Sequence, residues 1–315
     1  MALLWPRSGD GDVVIYSAMG PPGAMIPAFE AETGLRVTYI NMAGGPLQAR
    51  IYAEGAAPRW TVAWFVGDAA MAALDRAGLL ARSIGVGPVA WVAEARSVLP
   101  DDGAYVPTGL TLAGVFLTLG EMPPPDWLGL AAIAGGVGIV SPVISGTAYP
   151  VLSSMMAAVG GPTPGHALLQ TLAARGMSVM PTNPLLIGQL RRRQIALAVL
   201  PSQAAYVLAA RDQALRVGVP RPAGLVPAVI AISAQASPAA RTAAQRFIAF
   251  LLTPDGQRLI RQSTAEGYAW PAIEGVSAPV ELPALDTLAL IHPDPAYWGA
   301  RQGEEIGWFR REIAP

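Results

Sequence analysis

Between residues 13 and 80 the chain repeats one pattern three times: a short apolar run, a loop, then apolar residues at helical spacing. The first copy is Val13-Val14-Ile15-Tyr16, a loop through Ser17-Ala18-Met19-Gly20, and a helical pattern carrying Phe29 that stops at Gly34. The second is Leu35–Ile40, then Asn41-Met42-Ala43-Gly44-Gly45 and a helix near Leu47–Ala53. The third is Val62–Val66, then Gly67-Asp68 and a helix to Leu80. Apolar runs joined through helices predict a parallel sheet with helices on its faces. Ligands of such sheets sit beyond the carboxyl ends of the strands, so the three loops are expected along one edge.

The middle of the chain begins again. Gly109–Leu119 reads as one long apolar run, Pro123-Pro124-Pro125-Asp126-Trp127 opens a short helix, and Val137–Val140 is a strand. Ile195–Leu200 and Leu225–Ile232 are further strands, the first followed by a helix bearing Gln203 and Tyr206. Ser237-Pro238 and Thr253-Pro254 each pair a capping hydroxyl with a proline suited to the first helical turn. No repeat of fixed period is present.

Composition removes most catalytic chemistries. At 315 residues, 52% hydrophobic and 14% charged, the chain supports sizeable cores and two lobes. There is no cysteine, and all 21 basic side chains are arginine. Thiolate metal sites, cysteine nucleophiles, Walker-type phosphate loops and Schiff-base or Ser-Lys catalysis are thereby excluded. With 22 acidic residues the net charge is −1, which offers no global field for nucleic acid. Arg191-Arg192-Arg193 is the only basic run and reads as a solvated helix end. His166 and His292 fall in no triad or metal spacing and read as surface residues. In Gly136-Val137-Gly138-Ile139-Val140-Ser141 a serine replaces the last glycine of the dinucleotide fingerprint. No acid, base and nucleophile set can be assembled, so the chain is not expected to be an enzyme. The start Met1-Ala2-Leu3-Leu4-Trp5-Pro6 lacks the basic opening of a secretory signal.

One segment carries ligand chemistry. After Val140 come Ser141-Pro142 and then Ser145-Gly146-Thr147, which opens an apolar helix through Met156. A helix start presents unpaired N–H groups and the positive end of its dipole, to which the two hydroxyls add donors. That is a seat for a small anion; the alternative is an ordinary N-cap.

The order of these pieces resembles the solute-binding proteins of bacterial ABC importers, in the class of ferric-ion and 2-aminoethylphosphonate binders. The matching segments are Val14-Ile15-Tyr16-Ser17, Phe29-Glu30-Ala31-Glu32-Thr33-Gly34-Leu35-Arg36-Val37, Asp126-Trp127-Leu128-Gly129-Leu130, Ser141-Pro142 with Ser145-Gly146-Thr147-Ala148, and Phe247–Gln257. The last block is the most specific. The resemblance implies a type II periplasmic binding fold: two Rossmann-like α/β lobes joined by crossing strands around a ligand cleft. By this reading residues 12–108 and 226–275 form the N-terminal lobe, and 109–225 and 276–315 the C-terminal lobe. It also implies a periplasmic monomer that closes on a small-molecule ligand and delivers it to permease subunits, with no nucleic acid and no cofactor.

Ferric binders of this class use a His after the first strand, a Glu after the third, and adjacent tyrosines after the strand matching Ile195–Leu200. This chain has Ser17-Ala18-Met19-Gly20, Val66-Gly67-Asp68 and Pro201-Ser202-Gln203-Ala204-Ala205 in those places. A hard Fe³⁺ ion needs several anionic oxygen ligands, so no metal is expected. The anion seat is kept, which favours an organic ligand with a phosphonate- or phosphate-like head. Ser145, Gly146 and Thr147 are expected to hold the head. Asn183 reads as an anion contact or a turn residue before Pro184, and Asp68 as a counter-ion for a ligand amine or an N-cap. Trp64, Tyr149 and Tyr206 read as cleft aromatics, Trp64 alternatively as core. Ser17, Ala18, Met19, Asn41 and Gln203 are placed at the site by analogy. A thiamine-like or polyamine-type cation, or ferric ion on atypical ligands, are the alternative cargoes.

Overall fold

The computed structural model describes residues 12–145, 148–262 and 269–314. In chain order its elements are β1 (Val13–Ser17), α1 (Met25–Thr33), β2 (Val37–Asn41), α2 (Gly44–Glu54), β3 (Val62–Val66), α3 (Ala69–Arg76), α4 (Ala93–Ser97), β4 (Tyr105–Leu112) and β5 (Val115–Leu119). There follow β6 (Val137–Val140), α5 (Ala148–Ala158), α6 (Pro162–Ala174), β7 (Ser178–Met180), α7 (Asn183–Arg191), β8 (Leu197–Leu200), α8 (Ser202–Ala209), β9 (Leu215–Gly218) and β10 (Ala223–Ile232). The chain ends with α9 (Pro238–Leu251), α10 (Pro254–Gln262), β11 (Leu290–Ile291) and α11 (Pro295–Glu312). Two compact units result. Unit 1 draws on Met1–Gly109, Pro227–Gly267 and Pro271–Ser277; unit 2 draws on Leu110–Val226, Tyr268–Trp270 and Ala278–Pro315. The chain leaves unit 1 inside β4 and returns to it inside β10.

In unit 1, β1 pairs in parallel with both β2 and β3, and the second half of β10 runs antiparallel to β3. Each predicted strand of this unit forms. The first helix ends where expected: Gly34 adopts φ 70° and its N–H bonds the Glu30 carbonyl at 2.9 Å. Apolar faces of α1 and α9 bring Phe29 and Phe247 edge to face, 5.1 Å apart, over the buried Trp64 ring. Ser237 caps α9 by accepting from the Ala240 N–H, and Thr253 caps α10 by accepting from the Gly256 N–H.

In unit 2 the sheet order is β7-β6-β8-β5-β9. β6 is parallel to β7 and β8, while β5 is antiparallel to β8 and β9. The run Gly109–Leu119 is two strands, not one. It breaks at Gly114, where a Cβ would stand 2.5 Å from the Trp127 ring. Trp127 in turn packs edge to face on Phe116 at 5.3 Å. This core continues through Tyr149, Met156, Leu169, Trp298 and Phe309, so α5, α6 and α11 share it.

His166 departs from the sequence reading. It is half-buried: its Nε2 lies 2.7 Å from Oε2 of the fully buried Glu305, and its ring stacks on Trp308 with centroids 3.6 Å apart. The Arg191–Arg193 run is exposed at the end of α7, as expected.

Candidate ligand-binding site

Parallel strands give each unit one edge where loops and helix starts collect. In unit 1 these are the carboxyl ends of β1, β2 and β3. The loop after β1 is closed by its own hydrogen bonds. The buried Ser17 Oγ accepts from the Tyr39 hydroxyl at 2.6 Å and from the Met19 N–H at 3.0 Å. The Asn41 side-chain oxygen accepts from the Gly20 N–H at 3.2 Å, and the Ala18 N–H donates to the Trp64 carbonyl. Ser17, Ala18, Met19 and Asn41 are therefore brought together, with the Ser17 hydroxyl engaged inside the protein. Tyr39 was missed. Its signal lay in the strand period, since Tyr39 and Asn41 share a face of β2 and pair with Ile15 and Ser17. Asp68 occupies the N-cap position of α3, buried, and makes no side-chain capping bond.

In unit 2 the parallel strands β7, β6 and β8 end side by side at Met180, Val140 and Leu200. They lead into α7, α5 and α8, so three helix N-termini line one edge. Ser141 starts the β6–α5 turn. Its N–H bonds the Met180 carbonyl at 2.8 Å, and its carbonyl accepts from the Ser145 N–H at 2.9 Å. The Ser145 carbonyl accepts from the Ala148 N–H at 3.1 Å. Gly146 and Thr147 lie outside the described residues. Asn183 is the first residue of α7, following Thr182, which makes no capping bond. On α8, Ser202 Oγ accepts from the Leu112 N–H at 2.9 Å, pinning the helix start to the end of β4. The neighbouring Gln203 Oε1 is buried without a partner among the described residues.

Three expected aromatics behave differently. Trp64 is wholly buried in unit 1, and its Nε1–H donates to Thr108 Oγ1 at 2.8 Å. Tyr149 faces the core of unit 2, where its hydroxyl donates to the Trp298 carbonyl at 2.5 Å. Tyr149 corrects the cleft-aromatic reading, whereas Trp64 takes its core alternative; the polar tips of both are satisfied within the protein and their rings fill cores. Tyr206 packs edge to face on Trp270 at 6.5 Å, with 8% of its surface exposed.

Burial pushes the Tyr206 phenol up to about 12. Tyr16 is raised further by burial and its hydrogen bond to Glu54, and Tyr149 by burial and the Glu305 charge. In the unfolded chain a tyrosine releases its proton near 10. From there to about pH 12 the folded state holds protons that the unfolded state has lost, so stability falls as pH rises. Each tyrosine contributes a slope of about 1.4 kcal/mol per pH unit over its window. We expect urea midpoints to drop through that range and Tyr206→Phe to flatten the drop. An undiminished drop in Tyr206→Phe over that range would contradict this.

The unit 2 edge can hold an oxyanion through backbone N–H groups, hydroxyls and helix dipoles, each dipole equivalent to roughly half a charge. Among the described residues no three His, Asp or Glu side chains cluster as metal ligands. Comparison with known proteins gives one family, the bacterial extracellular solute-binding proteins, whose model matches residues 24–289. No curated protein matches the sequence. Solved structures similar to the chain include AfuA from Actinobacillus pleuropneumoniae with exogenous fructose-6-phosphate bound, at 18% identity and TM-score 0.80, covering 97% of this chain and 99% of that one. Iron-bound HitA from Pseudomonas aeruginosa aligns at 19% identity and TM-score 0.77, over 96% and 99% of the two chains. A periplasmic thiamin-binding protein aligns at 19% identity and TM-score 0.76, over 99% and 100%. These likenesses show the type II periplasmic binding fold. The family match extends over most of the chain, and on it the protein belongs to the bacterial extracellular solute-binding proteins, which capture small ligands outside the cytoplasm for ABC importers.

Proposed function

We propose that this protein captures a small organic anion whose phosphate- or phosphonate-like head docks at the β6–α5 turn, and that it delivers this ligand to an ABC permease. The observation that carries the reading is the alignment of the α5, α7 and α8 starts along one sheet edge. Three dipole ends along one edge favour one small, fully ionised head group there. Ser145, Gly146 and Thr147 hold the head, Asn183 contributes from α7, and the buried Gln203 Oε1 accepts from a hydroxyl or ammonium on the ligand's remainder. Neutral donors suit a carrier, because capture without a paired cation leaves release fast. The sugar phosphate bound to AfuA is chemistry of the same kind. A flat aromatic cation is less well supported, since Trp64 and Tyr149 are committed to cores.

A thermal-shift panel of aminoalkylphosphonates, sugar phosphates, thiamine and Fe³⁺ with phosphate tests this. A ligand at about 100 times its dissociation constant adds ~2.7 kcal/mol and moves the melting point by a few degrees. We expect that response from a phosphorylated or phosphonylated compound, and its loss in Ser145→Ala combined with Thr147→Val. Asn41→Ala and Asp68→Asn in the same panel test the unit 1 candidates. Stabilisation by thiamine or iron alone, or unchanged anion affinity in the double variant, overturns the proposal.

A further inference from the structure

The opposite edge of the unit 2 sheet carries a second concavity. It opens where β5 ends and where β6 and β8 begin, and its volume is about 450 Å³. That lies within the range of small-molecule sites. Leu119, Met122 and Ile133 give it an apolar wall, and Glu121 and Arg193 contribute opposite charges. Met122 is 83% exposed. Among the described residues neither Glu121 nor Arg193 has an ion-pair partner, whereas the adjacent Arg191 pairs with Asp212 at 3.7 Å and Arg192 donates to Gln194 Oε1 at 3.3 Å.

Arg193 is also in an unusual backbone state. The Arg193 N–H bonds the Leu190 carbonyl and the Gln194 N–H bonds the Gln189 carbonyl, both at 3.0 Å. This is the Schellman closure of α7, and its left-handed residue is normally glycine. Here it is an arginine at φ 56°, while α1 and α6 are followed by Gly34 and Gly176 at φ 70° and 81°. Glycine would relieve the steric cost of a Cβ in that conformation. The chain instead keeps a long cationic side chain, and its guanidinium is unpaired at the rim of a pocket. Strain retained beside a cavity points to a use for the side chain.

We infer that this concavity is a second small-molecule site, selective for a zwitterion with an apolar stem. Arg193 takes the ligand's carboxylate, Glu121 its ammonium, and Leu119, Met122 and Ile133 the stem. An anion alone meets the uncompensated Glu121 carboxylate, and a cation alone meets Arg193, so neither is favoured as the zwitterion is. The site is independent of the anion seat, which lies at the other edge of the same sheet.

The probes are L-leucine, 6-aminohexanoate, hexanoate and hexylamine, titrated into protein carrying methyl-labelled methionine and isoleucine. We expect at least one zwitterion to shift the Met122 and Ile133 methyl signals saturably, with hexanoate and hexylamine weaker by about tenfold. Arg193→Gly and Glu121→Gln should each weaken that zwitterion by about tenfold. Arg193→Gly should at the same time raise the unfolding midpoint, which separates lost binding from a damaged fold. No saturable shift with either zwitterion, binding of hexanoate as tight as theirs, or unchanged affinity in Arg193→Gly would overturn the inference.

Discussion

Replacing Gly256 by alanine is expected to destabilise the protein by about 3 kcal/mol or more, at the upper end of what an added methyl does in a packed interior. A Cβ on Gly256 would stand 2.1 Å from the Phe250 carbonyl oxygen and 2.7 Å from the Leu251 Cα. Both are backbone atoms at the end of α9, so no rotamer change makes room and α10 must move as a body. That movement breaks what the next residue does. Gln257 is buried, its Nε2 donates to the Thr108 and Leu251 carbonyls, and its Oε1 accepts from the Ala272 N–H, all at 3.0 Å. One side chain thus satisfies backbone groups of three segments, and orphaning them in the interior costs about 1–3 kcal/mol each. Gly303→Ala is the control. It lies in α11 with nothing within 4 Å of the added atom, so relief of glycine's conformational freedom should stabilise by up to about 1 kcal/mol. The same chemical change is expected to act with opposite sign at the two sites. Urea denaturation that places Gly256→Ala within about 1 kcal/mol of wild type would refute the packing account.

Gly256 and Gln257 stand in the sequence block that most specifically resembles the family, and the structure gives that block a physical reason: a two-helix corner with no space for a side chain. Strands such as β1, β3 and β6 were legible because they are continuous apolar runs, and α9 and α10 because Ser237-Pro238 and Thr253-Pro254 announce their starts. The three-residue β7 and the edge strand β9 were not legible, since neither carries enough residues for a period to show. Site residues divide in the same way. Positions at the ends of parallel strands, and in the turns and helix starts that follow them, follow from topology alone, which is why Ser17, Asn41, Ser145, Asn183 and Gln203 all fall at carboxyl edges. Whether an aromatic within such an element faces ligand or core depends on what covers it, and the covering residues are distant in sequence. Trp64 meets Phe247, and Tyr149 meets Trp298. His166 shows the same limit. Its context, Pro-Thr-Pro-Gly-His, reads as an exposed helix start. Yet the missing side chain of Gly165 leaves Met156 space on α6, where a Cβ would lie 2.5 Å from the Met156 Cγ, and the imidazole reaches a glutamate 139 residues away.

That glutamate is the second site of large effect: Glu305→Ala should cost about 3 kcal/mol. Glu305 is fully buried, one oxygen accepting from Arg301 Nε at 3.0 Å and Nη2 at 2.9 Å, the other 2.7 Å from His166 Nε2. Removing it leaves a guanidinium and an imidazole facing an apolar gap, and the loss of a buried charge partner typically costs ~3–5 kcal/mol. The lower end applies, because Arg301 retains Glu304 at 3.2 Å and part of its surface is in water. Glu305→Gln keeps the volume and some hydrogen bonding, and should cost roughly half as much. His166→Ala should cost less again, because Arg301 still neutralises the carboxylate, although the stack on Trp308 is lost. The decisive quantity is the coupling in a His166/Glu305 double-mutant cycle, since α6 and α11 meet the cluster from different parts of the sequence. A coupling of about 1–2 kcal/mol identifies the pair as a tether for the C-terminal helix, whereas additive losses would reduce it to two independent packing residues.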